Sequence, residues 1–289
     1  MIVYGRNPVR EALRGRRAHQ VTEVWATHGV VRESWLAGES LPASVRLRPS
    51  TPAEIERHCG SSVHQGVCAQ VGGYPYVSAG ELLAPGNAGG RAGSGGVGGA
   101  AGSGGVGEPG DHDGSEPLIV ALDEVQDPQN LGSICRTAEC VGASGVAICE
   151  RRAAEVTPAA CKASAGAVEH LRIARVRNLA DFLGQAREAG CWCYGASAPE
   201  PVAGRTSESV VDGAPKSKLP RAPVPYDAPD YAGAGVVLVL GSEGRGLRPR
   251  VQSACDELIA LPLRGRVGSL NVSAAAAALM YEILQRRQS

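Results

Sequence analysis

Two five-residue runs, Leu118-Ile-Val-Ala-Leu122 and Val236-Val-Leu-Val-Leu240, contain no polar side chain. Successive residues of a strand point to opposite faces, so a strand of either sequence is apolar on both. Such strands are stable where both faces are covered, as in a parallel sheet packed between helices. The flanking sequence agrees. Further strands are expected at 145–149, 171–176, 191–195 and 257–261, and helices at 131–141, 158–168, 179–189 and 270–287. This alternation predicts an α/β fold over residues 118–289, with a sheet covered on both faces.

The chain divides before that region. Between Gly86 and Gly114 there are 14 glycines, and Gly-Ser-Gly-Gly-Val-Gly occurs at 93–98 and again at 102–107. So little apolar surface cannot offset the entropy of ordering, and residues 84–117 read as a flexible linker. Both hexapeptides fit the G-x-G-x-x-G spacing of dinucleotide sites. No strand leads into them and no helix pattern follows, so that reading fails. Residues 1–83 form a small N-terminal α/β domain, with a helix from Asn7-Pro8 to about Gly15 and strands at 21–25, 45–47 and 67–71. Seven prolines between 199 and 229 mark residues 199–234 as a surface insertion, since Pro at that density excludes regular helix or central strand.

Charge bears on partners. The 29 basic and 29 acidic residues cancel, but the linker alone carries a net charge of −3. The parts on either side are mildly basic, and 26 of the basic residues are Arg, whose planar fork suits phosphate. Arg6, Arg10, Arg14, Arg16 and Arg17 cluster at the start, either as a solvated helix face or as a row that contacts nucleic-acid backbone. Nine scattered cysteines without a CxxC pair argue against a disulfide framework or a zinc site, so no metal and a cytoplasmic setting are expected. No run reaches the length of a membrane span, and no apolar leader opens the chain.

Three segments carry the chemistry. Asp123 to Ala138 follows a buried strand and opens a helix, bringing Asn130 and Arg136 to the edge where open α/β sheets bind ligands. Gly241-Ser-Glu243-Gly244-Arg-Gly246 makes a sharp turn directly after the most apolar strand. Leu261 to Ser273 is a Gly/Arg loop ending in Ser269-Leu270-Asn271 before the last helix. Each has a plainer reading: Asn130, Ser269 or Asn271 as a helix cap, and Glu243 as an exposed turn residue.

Taken together and in this order, the three segments resemble the motifs of the SpoU (TrmH-like) group of SPOUT methyltransferases. Motif one matches at Asn130 and Arg136, motif two at Gly241, Glu243 and Gly244, and motif three at Ser269, Leu270 and Asn271. Tyr4-Gly5-Arg6-Asn7-Pro8-Val9 and His64-Gln65-Gly66-Val67 also resemble the RNA-binding domain of the RlmB-like branch, which acts on 23S ribosomal RNA. The resemblance implies a C-terminal trefoil knot, a homodimer, and transfer of methyl from S-adenosyl-L-methionine to a ribose 2′-hydroxyl. It implies catalytic roles for Asn130, Arg136, Glu243, Ser269 and Asn271. It implies cofactor contacts from Gly241, Glu243, Gly244, Leu261, Leu270 and Asn271. The long linker and the Pro-rich insertion depart from the family pattern but fall inside no motif. Alternative expectations are a transfer-RNA 2′-O-methyltransferase, a self-resistance methylase acting on a ribosomal drug site, or a non-catalytic RNA-binding ribosome-assembly protein of the same fold.

Overall fold

The computed structural model describes residues 1–36, 41–84, 116–198 and 222–288. Both Gly-rich hexapeptides, the interior of the expected linker and residues 199–221 of the expected insertion lie outside the described residues.

The C-terminal unit is built on seven strands: β5 (Leu118–Asp123), β6 (Gly145–Cys149), β7 (Ile173–Val176), β8 (Cys191–Ser197), β9 (Val224–Pro225), β10 (Gly235–Gly241) and β11 (Glu257–Ala260). They run in the order β7-β6-β5-β10-β8-β11-β9, and every pairing is parallel. The two all-apolar runs are the central neighbours β5 and β10, with Val236 beside Leu118 and Gly241 beside Asp123. Their alternation divides the core. Leu118, Val120, Leu122, Val236, Leu238 and Leu240 face one cluster. Ile119, Ala121, Val237 and Val239 face the other. Helices α5 (Pro128–Cys140) and α9 (Val272–Gln288) cover the first face with Leu131, Ile134, Ala276 and Leu279. Helices α7 (Leu179–Glu188) and α8 (Pro249–Ala254) cover the second with Leu179, Phe182, Leu183 and Val251. Each large aliphatic side chain so buried contributes about 1.5–3 kcal/mol.

Arg287, in the last turn of α9, ties down the leading ends of both central strands. Its guanidinium donates to the carbonyls of Glu116 (2.6 Å), Pro117 (3.2 Å), Tyr231 (3.2 Å) and Ala234 (3.0 Å). Burial pushes its pKa below the usual Arg value.

The N-terminal unit holds a four-stranded sheet of order β1-β4-β2-β3, from β1 (Ile2–Tyr4), β2 (Val21–Ala26), β3 (Arg46–Pro49) and β4 (Val67–Val71). Its helices are α1 (Arg6–Arg14), α2 (His28–Val31), α3 (Pro52–Cys59) and α4 (Ala79–Leu83). The unit packs on the C-terminal one through α6 (Pro158–Ala163) and the following 3-10 turn at Ala167–Glu169. Val77 extends the larger sheet beyond β7, donating its N–H to Ile173 O at 3.0 Å.

Several expectations need correction. The first helix starts at Arg6 with Gly5 as N-cap, not at Asn7-Pro8. The helix expected over 158–168 breaks because Ala165 and Gly166 adopt left-handed backbone, at φ +52° and +93°. The last helix begins at Val272, two residues later than expected. The segment read as a surface insertion to residue 234 supplies edge strand β9, and Tyr231 within it is 1% exposed. Pro225 is tolerated there because β9 lies at the sheet edge.

Candidate active site

The strand order reverses between β5 and β10: successive elements from β5 step to one side, while β8 lies on the other. A crevice opens beyond the carboxyl ends of the strands at such a point. All three sequence segments converge there.

Asp127 caps α5 by accepting from Gln129 N at 2.9 Å, so Asn130 is not needed as the cap. Asn130, 7% exposed, donates through Nδ2 to Glu243 Oε1 at 2.9 Å. Asn271 Nδ2 donates to the same Glu243 oxygen at 2.6 Å and to Asn130 Oδ1 at 3.1 Å. Asn271 Oδ1 meanwhile accepts from Ser273 N at 2.9 Å at the start of α9. The capping and site readings of Asn271 therefore hold together, one for each end of its amide. Both donors converge on Oε1 of Glu243, and Oε2 has no donor among the described residues.

Glu243 is held out by a tight turn. Ser242 and Gly246 exchange backbone hydrogen bonds, Ser242 N to Gly246 O at 3.2 Å and Gly246 N to Ser242 O at 2.9 Å. Gly244 and Gly246 sit at φ +79° and +66°. A Cβ on Gly241 would lie 2.1 Å from Gly246 C, so the chain can fold back on itself there only without a side chain.

Sequence reasoning missed the clamp beneath this turn. Arg248 N donates to Asp123 Oδ2 at 2.8 Å, and its guanidinium lies 2.6 Å from Asp123 Oδ1 and 3.1 Å from Glu124 Oε1. The hydrogen bonds to Asp123 hold the Arg248 pKa above its ordinary value. Asp123 is 1% exposed. A carboxylate buried at the end of an apolar strand needs a counter-charge, and that was the available signal. Glu124 follows at φ +57°, a strained conformation for a non-glycine residue beside the site.

The remaining candidates are more loosely placed. Arg136 is exposed on α5 and bonds to no described residue. Ser269 is exposed and bonds to no described residue, Leu270 is 48% exposed, and Leu261 packs partly against the core. Among the described residues no group of His, Cys, Asp and Glu could hold a metal ion, and no helix is long and apolar enough to cross a membrane.

Of the N-terminal arginines, Arg6, Arg14 and Arg16 are exposed and Arg10 is partly so. Arg17 is not available to a ligand. It is fully buried, bonded to Glu169 and to Gly72 O (3.1 Å). Arg16 stays exposed while donating through Nη1 to Leu171 O at 3.0 Å, and Arg17 folds fully into the junction between the two units.

Residues 117–281 match the SpoU rRNA Methylase family, and residues 2–77 match the RNA 2′-O ribose methyltransferase substrate-binding family. The chain is 38% identical over 224 residues to a TrmH-family tRNA/rRNA methyltransferase of Bacillus subtilis, covering 78% of this chain and 71% of that one. An RNA methyltransferase of the TrmH family from Porphyromonas gingivalis superposes with a TM-score of 0.64 at 25% identity, over 99% of this chain and 89% of the other. The SpoU methyltransferase AviRb from Streptomyces viridochromogenes, solved with AdoMet, superposes with a TM-score of 0.66, over 100% and 91% of the two chains. At 19% identity that second likeness concerns the fold. The motif-bearing crevice and the matches over both units agree: this chain belongs to the SpoU (TrmH-like) family of RNA methyltransferases.

Proposed function

We propose that the protein methylates a ribose 2′-hydroxyl in RNA, with S-adenosyl-L-methionine as donor and ribosomal RNA, 23S in particular, as substrate. The observation that carries this reading is the closed Asn130–Glu243–Asn271 network at the ends of the two central strands. The donor fits the residues present. A Cβ at Gly244 or Gly246 would meet nothing within 4 Å, so the turn bares backbone that a nucleoside can approach closely, and Leu261 and Leu270 add apolar surface at the two ends of the Gly/Arg loop. When bound, S-adenosylmethionine supplies an electrophilic methyl group.

The chain's own residues then have distinct roles. The two amides fix the Glu243 carboxylate and leave Oε2 to accept a hydrogen bond from the ribose hydroxyl. A guanidinium is a poor proton acceptor, so Arg136 stabilises developing oxyanion charge or an adjacent phosphate instead of taking the proton. Ser269 positions cofactor or nucleotide from the loop before α9. Arg6, Arg10, Arg14 and Arg16 hold RNA backbone. The same reading includes the family's trefoil knot and a homodimer. Exposed Tyr281 (52%) on α9, with Val267 (75%) before it, supplies apolar surface for the dimer contact.

The test combines calorimetry with turnover. Arg136→Ala is expected to retain S-adenosylmethionine binding and lose most methyl transfer; near-normal turnover overturns the assignment. Mapping 2′-O-methylation in RNA from cells with and without the protein identifies the substrate, and loss of a mark in transfer RNA alone would overturn the ribosomal choice. A sedimentation mass of one chain at micromolar concentration would overturn the dimer.

A further inference from the structure

Apart from Arg6, the two N-terminal motifs at residues 4–9 and 64–67 are absorbed neither by the crevice nor by the arginine row. The fold brings them together. Gly5 N donates to Val67 O at 3.0 Å, and Arg6 N donates to Gln65 Oε1 at 3.1 Å. Gln65 itself sits at φ +55°, a conformation that is uncommon for a residue with a side chain. Gly5 takes φ 96° and ψ 151°, a region open essentially to Gly alone.

A residue from the other unit explains the glycine. A Cβ on Gly5 would lie 2.5 Å from Lys162 Nζ and 3.2 Å from Lys162 Cδ. Lys162 comes from α6, and its ammonium lies in the space that the missing side chain leaves. It makes no hydrogen bond or ion pair with a described residue, and it is only partly exposed. Desolvation by burial pulls its pKa below the ordinary Lys value. Glu33, the carboxylate beside Arg6, is paired with Arg6 at 3.1 Å, and Glu11 is paired with Arg10 and His170 at 2.9 Å each. The junction therefore holds a half-buried cation with no anion of its own. Only three of the chain's basic residues are Lys, and one of them stands here as a compact ammonium.

The position is close to the chemistry. Helix α6 packs tightly on α5: a Cβ on Gly132 would lie 2.6 Å from Ala160 O and from Ala163 Cβ. An anion at Lys162 thus lies one helix layer from the helix that carries Asn130 and Arg136.

We propose that Lys162 Nζ, together with the exposed side-chain amide of Gln65, binds a backbone phosphodiester of the RNA substrate at the junction between the two units. The inference rests on the RNA-methyltransferase reading above. The two N-terminal motifs then clear and frame a seat for a cation supplied by the other unit. The strand held there passes from the N-terminal unit toward the crevice.

The test uses the full chain and ribosomal RNA from cells that lack the protein. Lys162→Gln is expected to weaken RNA binding by about tenfold and to make the slope of log affinity against log salt shallower by about 0.7–0.9, the signature of one lost phosphate contact. S-adenosylmethionine binding and the melting temperature should not change. Independently, RNA should shield wild-type Lys162 from an amine-reactive mass tag, and inorganic phosphate at equal phosphate concentration should not. An unchanged salt slope, or tagging indifferent to RNA, overturns the proposal. Equal shielding by inorganic phosphate overturns it too, since that marks an adventitious ion only. A wild-type protein that binds neither S-adenosylmethionine nor RNA sinks the parent reading as well and so is told apart from these results.

Discussion

Arg17 and Glu169 grip each other in a fork of two hydrogen bonds, Nε to Oε2 at 2.8 Å and Nη2 to Oε1, with neither side chain exposed. Burial disfavours the Arg17 cation, but the bonds to Glu169 outweigh it and hold its pKa above the usual value. Removing one partner leaves the other charge buried and uncompensated. Glu169→Gln should therefore cost about 3–5 kcal/mol, read as a lowered midpoint in urea or thermal unfolding. The double variant Arg17→Met with Glu169→Leu should recover much of the loss. An unmoved midpoint in the single variant would contradict this account.

Glu243 is exposed, so its removal should affect chemistry more than stability. Glu243→Ala leaves Asn130 and Asn271 without their shared acceptor and frees the turn. Turnover should fall by about 100-fold or more, the scale of misplacing a reacting group, with melting nearly unchanged. Single-turnover kinetics beside a melting curve separates the two effects.

Two glycines in one turn should respond differently. Gly241→Ala puts a Cβ 2.1 Å from Gly246 C and should abolish S-adenosylmethionine binding in calorimetry. Gly244→Ala meets no atom within 4 Å. It carries only the left-handed backbone penalty of about 1 kcal/mol, so measurable binding should remain.

How far these features could be read in advance varies with their range along the chain. The central strands were legible because five consecutive apolar residues leave no polar face. The motif residues were legible through spacing, but their contact was not: Asn130 and Glu243 are 113 residues apart, and Asn130 and Asn271 are 141 apart. Arg17 looked like one more cation in a basic row because Glu169, the partner that buries it, lies 152 residues away. Helix α3 did leave a local sign, since Thr51 and Glu54 form a capping box with Pro52 at the first turn. The three-residue β1 and two-residue β9 left none, because such short edge segments take their structure from their neighbours.

Acid should weaken the junction through Glu11. Burial raises the pKa of this carboxyl, but hydrogen bonds from His170 and Arg10 prevail and hold it below the ordinary Glu value. A carboxyl depressed in the fold contributes stability that is present above its unfolded value and lost as pH falls through the folded one. Glu11→Gln should be less stable than wild type at pH 7 and converge with it as pH falls through the depressed folded value, below the ordinary Glu range. Parallel melting curves across that range would refute the assignment.

Thiol reagents should discriminate sharply among the cysteines. Burial pushes Cys135 and Cys161 up to about 12, whereas Cys140 is exposed on the same helix as Cys135. Iodoacetamide at about pH 7.5 should label Cys140 well before Cys135 or Cys161, as peptide mass mapping can follow.

The grip of Arg287 on Glu116, Pro117, Tyr231 and Ala234 has a mechanical consequence. β5 and β10 run side by side for about 20 Å, and paired strands hardly stretch or shear along their length. Arg287 holds the chain just before both of them, while Asp123 and the Glu243 turn stand at their far ends. The crevice is thus braced from the opposite ends of the same two strands. A change at residue 287 that loosened one strand against the other would shift both halves of the crevice out of step without touching either.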